Sequence, residues 1–155
     1  MRGFTKVFLC ICVIGFAPAA FAQQSPDGIV RDIYAAYDDY GLGASPTDPD
    51  LRENFSQRMR GLLAEEDGRI ERDGLGRLDF DIFVDDHDCD VTEVSVEAPQ
   101  IHGDKAEVAL KLRNFGEPRQ FRFLFIQEDG AWRIDDIVAV RANDPWQLTA
   151  LLTGN

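Results

Sequence analysis

Cysteine is scarce in this chain of 155 residues: there are three, and Cys10 and Cys12 both lie within the first 22 positions. Histidine is rarer, with only His87 and His102, and just three of the 16 basic residues are lysine. Each shortage excludes something. Cys89 has no partner for an internal disulfide once the N-terminal segment is removed, so a domain built from the rest must hold together by packing. It reads as a small buried residue or a thiol for an intermolecular bond. A zinc site needs about three His, Cys or carboxylate ligands with supporting groups around them. His87 and Cys89 at i and i+2 offer two, and His102 is distant in sequence. No G-x-S-x-G is present, and Ser25, Ser45, Ser56 and Ser95 lack the contexts of an activated nucleophile. No internal repeat or low-complexity tract appears.

The long apolar runs of a membrane protein are also missing. Val7–Phe16 carries no charge, but it falls short of the roughly 20 residues that span a bilayer. With Arg2 and Lys6 ahead of it and Ala20-Phe21-Ala22 behind, it reads as a signal peptide over residues 1–22, cut after Ala22. The mature chain, 23–155, has 133 residues, enough for one domain with its own core. It keeps 14 basic residues against 28 acidic ones, a net charge of −14. So much negative charge disfavours nucleic acid and anionic membrane surfaces, both polyanions. The expected location is periplasmic or secreted, as a monomer or homodimer.

The periodicity divides the mature chain in two. Ile29, Val30, Ile33, Tyr34, Tyr37 and Tyr40 recur at helical spacing behind Ser25-Pro26, a capping residue followed by proline, with Gly41 and Gly43 as the stop and Ala44–Thr47 as a loop. Asp48-Pro49 opens a second helix with the stripe Leu51, Phe55, Met59, Leu62 and Leu63 and a stop at Gly68. Ile70–Arg77, with Asp73-Gly74 and Gly76, reads as a loop. From Val91 the period becomes two. Val94, Val96 and Ala98 alternate with polar residues; Ala106, Val108, Leu110 and Leu112 follow the turn at Gly103-Asp104. After a turn within Asn114–Pro118, Phe121, Phe123 and Phe125 share one face. Asp129-Gly130 is a hairpin turn, and Trp132 and Ile134 resume the alternation. Asp135-Asp136 interrupts it, which suggests a bulge or an edge. Asn143-Asp144-Pro145 then starts a short helix with Gln147 as a capping partner. Helices packed on an antiparallel sheet of four strands make an α+β domain, with the phenylalanines as its inner face.

Chemistry concentrates in Leu78–Asp90, LDFDIFVDDHDCD, which holds six aspartates. Asp86, Asp88, Asp90 and Glu97 fall at positions 1, 3, 5 and 12 of a calcium-loop count, but the obligatory glycine is replaced by Val91 and the following residues form a strand. No metal or other cofactor is expected. Acid–base chemistry has three candidates: His87 between two aspartates, and Asp135 and Asp136 if burial raises their affinity for protons. The aromatics Tyr34, Tyr37, Phe121, Phe123, Phe125 and Trp132 could line a ligand pocket between sheet and helix or fill the core. Asp79, Asp81 and Asp88 are expected to be structural, Asp79 and Asp81 by capping the segment that leads into the first strand.

Three pieces, Ile29–Tyr34 with Tyr37, Leu78–Phe83 leading to His87-Asp88, and Trp132–Ile137, together resemble the DUF3828 family of exported bacterial proteins of unknown function. In that family the middle motif commonly reads aspartate–x–aspartate–proline and ends in glutamine–aspartate; here Ile82 replaces the proline and His87 the glutamine. The resemblance implies an NTF2-like (cystatin-like) cone, a curved antiparallel sheet around helices. It supplies no catalytic residues, because that fold carries enzymes and binding modules alike. The leading expectation is a non-enzymatic periplasmic module for a protein or small ligand. The alternatives are a small proton-transfer enzyme of the isomerase or dehydratase type and an immunity or inhibitor protein against a cationic effector.

Overall fold

Ser25 and Pro26 start the first helix as their order suggests. The computed structural model describes residues 23–40 and 48–155; the expected signal peptide, with Gly41, Gly43 and the expected loop Ala44–Thr47, lies outside them. Helix α1 spans Pro26–Tyr40. The Ser25 hydroxyl accepts the Gly28 amide at 3.3 Å, a cap on an otherwise unpaired N–H. Ile29, Val30, Ile33, Tyr34 and Tyr37 face inward.

The expected second helix is two helices. Asp48 caps α2 (Pro49–Arg52), and Ser56 caps α3 (Gln57–Asp73), its hydroxyl accepting the Met59 amide at 3.1 Å. Between them the chain runs extended beside the last long strand: the Ile134 amide donates to the Asn54 carbonyl at 2.7 Å and the Ser56 amide to the Ile134 carbonyl at 2.9 Å. Phe55 is buried by this contact rather than by a helical stripe. Nor does α3 stop at Gly68. It continues to Asp73 and ends where Gly74, at φ 73°, turns the chain left-handed and closes on Ile70. A glycine inside a helix costs about 1 kcal/mol relative to alanine, too little to end one that is packed elsewhere.

The sheet contains β1 (Val91–Val96), β2 (Gln100–His102), β3 (Lys105–Asn114), β4 (Glu117–Glu128), β5 (Ala131–Ala139) and β6 (Trp146–Gln147). All pairings are antiparallel, in the order β1-β3-β4-β5-β6, with β2 continuing β1 along the same edge of β3. The expected strands thus gain β2 and β6. Phe121, Phe123 and Phe125 stand opposite Leu110, Val108 and Ala106 on one side and Ala139, Ile137 and Ile134 on the other, all buried. Asp135 is the bulge: Leu124 pairs with Asp136 and Phe125 with Ile134, leaving Asp135 without a partner. A second bulge between Thr92 and Ser95, with Glu93 at φ 53°, explains why Val91 and Val96 pack on the core while Val94 does not.

The last helix, α4, spans Leu148–Thr153, later than Asn143-Asp144-Pro145 implied, because Trp146 and Gln147 pair with Ala139 and Val138. Gln147 makes no side-chain cap to its own helix. Helix α1 lies against β1 and β3, and α3 and α4 lie against β5. Their apolar sides share one buried cluster with the phenylalanine ladder, an α+β arrangement.

Candidate functional site

The aspartate-rich segment is a loop folded upon itself. The Asp81 amide donates to the Asp86 carbonyl at 2.8 Å, and the Asp85 amide donates to the Asp81 carbonyl at 2.8 Å. One carboxylate oxygen of Asp81 accepts the Phe83 amide at 2.8 Å, the local turn that aspartate makes readily, and the other accepts the Tyr37 hydroxyl at 2.7 Å. The Tyr34 hydroxyl donates to the Phe83 carbonyl at 2.6 Å. Burial raises the Asp81 pKa, with the bonds from Tyr37 and Phe83 opposing it. Burial, followed by the charge of Asp81, holds the Tyr34 hydroxyl well above its ordinary range.

These bonds drive Ile82, Phe83 and Val84 into the interior, where none retains accessible surface. The Phe83 ring stacks on Phe123 with centroids 6.4 Å apart, and Tyr34 meets Phe123 edge-on at 6.3 Å. The turn is therefore a plug between α1 and the sheet. The residues of the proposed pocket lining, Tyr34, Tyr37, Phe121, Phe123, Phe125 and Trp132, are all buried in the core cluster, and Phe125 also borders a surface groove.

Beyond the plug the segment is pinned at the ends of the strands. Asp85, at φ 60° with its carboxylate buried, accepts the Arg141 guanidinium and, at 2.6 Å, the Trp146 indole N–H. Asp86 meets Arg119 at 3.3 Å. Buried Asn114 accepts the Asp90 amide at 2.8 Å and donates to the Asp88 carbonyl at 3.1 Å. Asp88 thus contributes its backbone, while its side chain, like those of His87 and Asp90, is exposed. Asp79 does not cap the entry to this segment: it is exposed and accepts no hydrogen bond among the described residues. Glu66 does that instead. Its carboxylate accepts the Arg77 amide and, at 2.9 Å, the Leu78 amide. Burial pushes the Glu66 pKa up, but those amides and Arg69 outweigh it and hold the carboxyl below its ordinary range. A buried glutamate within a helix, acting on a loop eleven residues later, carried no signal in the sequence.

Of the acid–base candidates, His87 lies apart from Asp135 and Asp136. Asp136 is buried and accepts Gln147 Nε2 at 2.6 Å, the Thr149 amide at 3.1 Å and the Thr149 hydroxyl at 2.6 Å. It caps α4 from the neighbouring strand. Asp135 accepts Ser56 Oγ at 2.7 Å and Arg58 Nε at 3.0 Å. Burial raises its pKa, but Arg58, Ser56 and Lys105 outweigh that and hold the carboxyl below its ordinary range, the opposite of a proton-holding acid. His87 follows Asp86, which meets Arg119; Asp136 lies across from Leu124, five residues farther along β4, about 16 Å at a strand's rise. Among the open grooves on the surface of the described residues, two bear on these residues. One, of about 620 Å³, is bordered by Asp85, Pro118, Arg119, Gln120, Val140 and Arg141. The other, of about 420 Å³, brings His102 and Lys105 beside Asp135, Leu124 and Phe125. Among the described residues no three His, Cys, Asp or Glu side chains are placed to hold a metal ion, and no helix is long and apolar enough to cross a membrane.

No family model and no curated protein matches the sequence. Two solved structures of the type VI effector-immunity complex Tae3-Tai3 from Ralstonia pickettii, one native and one with selenomethionine, each contain a chain of similar fold. The TM-score is 0.55 and the identity 17% in both; the likeness covers 79% and 77% of this chain and 100% of those chains. At that identity the likeness concerns the fold.

Proposed function

We propose that this chain is an exported immunity-type protein that binds an effector protein and blocks it, on an NTF2-like cone of the kind the DUF3828 resemblance implies. The supporting observation is the fold shared with a chain of an effector-immunity complex, over that chain's entire length. The chemistry favours the immunity side of such a complex. An effector that acts as an enzyme needs a free catalytic set, whereas here Asp81, Asp85, Asp135 and Asp136 are all held by structural hydrogen bonds and ion pairs. A domain with a packed interior and a strongly acidic composition suits an inhibitor that presents its exterior to a cationic partner. The proposed compartment is the periplasm, reached through the signal over residues 1–22.

Co-expression tests the reading. Cells producing the effector encoded beside this chain's gene should grow when the chain is exported with it, and the two should co-elute on size exclusion. Continued growth arrest with no complex would overturn the proposal, as would the lack of any adjoining effector gene.

A further inference from the structure

The β3–β4 hairpin turns through Phe115 and Gly116, at φ 50° and 77°, between the paired residues Asn114 and Glu117. The β4–β5 hairpin turns the same way through Asp129 and Gly130, at 50° and 76°. Two residues of positive φ make the turn that two-residue hairpins prefer, and asparagine, aspartate or glycine fill its first position because they tolerate the left-handed region. Aspartate at 129 obeys that rule. Phenylalanine at 115 does not, since bulky side chains are strained there.

Burial offers no compensation. Phe115 is 57% exposed, and among the described residues it is the one large exposed apolar side chain with positive φ; Ile70, Leu75, Val94, Ile101 and Val140 are not so held. Strain kept at a position where the fold gains no burial points to a role outside the fold. The tip is also held by hydrogen bonds to its surroundings. The Phe115 amide donates to the Asp90 carbonyl at 3.0 Å, and Arg113 donates to the Gly116 carbonyl at 2.6 Å while paired with Glu93 at 2.9 Å. The backbone of the tip therefore stands beside the outer part of the aspartate loop. Asp88, Asp90 and Glu117 are exposed there and belong to no ion pair among the described residues.

We infer that the Phe115 hairpin tip is the anchor by which this chain docks on its effector, the ring entering an apolar socket whose rim is basic and faces Asp88, Asp90 and Glu117. A preordered aromatic at the centre of a patch and a charged periphery are the usual division of labour in protein interfaces. The occupant is a cationic protein surface because the carboxylates of the residues flanking the tip, Asp88, Asp90 and Glu117, are exposed and make no ion pair among the described residues. This rests on the inhibitor reading above.

The test uses the mature chain and the effector encoded beside its gene, with affinity and melting temperature measured on the same variants. Phe115→Asn should weaken the complex about thirtyfold or more while its melting temperature stays equal or rises, since asparagine suits the turn. A merely structural phenylalanine would give a lower melting temperature. Ile101→Asn, on the β2 edge, should change affinity less than threefold, and raised salt should weaken the wild-type complex. Wild-type binding that Phe115→Asn leaves within threefold overturns the anchor and leaves the inhibitor reading standing. Failure of the wild type itself to bind overturns both.

Discussion

The two halves of Leu78–Asp90 use the same residue type for opposite purposes. In the first half, Asp81 and Asp85 turn their carboxylates toward Tyr37, Arg141 and Trp146 and hold Ile82, Phe83 and Val84 inside. In the second half, Asp88 and Asp90 leave their carboxylates in water and lend only backbone groups to Asn114. Aspartate is suited to both, because its short carboxylate satisfies local amides or remains solvated at little cost. What decides is the neighbouring residue: three consecutive apolar side chains pull the first half in, and His87 between acids leaves the second half out. An aspartate-rich run is thus no single site. Its inner part sets the fold, and its outer part belongs to the surface.

The contrast can be broken by mutation. Phe83→Ala should have the largest effect, a loss of about 3–5 kcal/mol in urea unfolding, because it removes an aromatic ring from the middle of the core. A loss below about 1 kcal/mol would mean the plug is not packed as described. Asp85→Ala comes next, at about 2–3 kcal/mol, since it strips a buried acceptor from the Trp146 indole and from Arg141, which is partly solvated and softens the penalty. Asp88→Ala and Asp79→Ala should change stability by less than about 0.5 kcal/mol, as exposed side chains without partners do. If Asp88→Ala matched Asp85→Ala, the division between the halves would fail; if Asp79→Ala did, Asp79 would hold a partner that its exposure does not show.

Acid titration sharpens the same comparison. Glu66 and Asp135 both have folded-state pKa values below their ordinary ones, so the stability they contribute is present at neutral pH and is lost as the pH falls below about 4. Asp81 has the opposite sign: its raised pKa favours the fold when the group is protonated, and that contribution fades as the pH rises through its folded value. Glu66→Gln should therefore be less stable than wild type at pH 7 and nearly equal to it at pH 3. A constant difference across that range would remove Glu66 from the account.

The sheet was largely legible in the sequence because its signals are local. The period-two ladder of Phe121, Phe123 and Phe125, the Asp129-Gly130 turn and the interruption at Asp135-Asp136 each declare themselves within a few residues. What escaped depends on distant partners. Phe55 sits at helical spacing from Leu51 and Met59, yet the extended contact of Asn54 and Ser56 with Ile134 breaks that helix in two. Asp136 caps α4 from β5, and Glu66 caps a loop from α3, neither through a sequence motif. The candidate site escaped for a related reason: whether an aspartate faces in or out depends on what packs behind it. The strain at Phe115 became visible only with its backbone angle.

The most direct test of the account is amide hydrogen exchange on the mature chain, alone and with its effector. New protection should appear at His87–Val91 and Asn114–Glu117, with Ile82–Asp85 already slow in the free chain and unchanged on binding. Protection gained instead along α1 or at β6, with the hairpin tip unaltered, would contradict it.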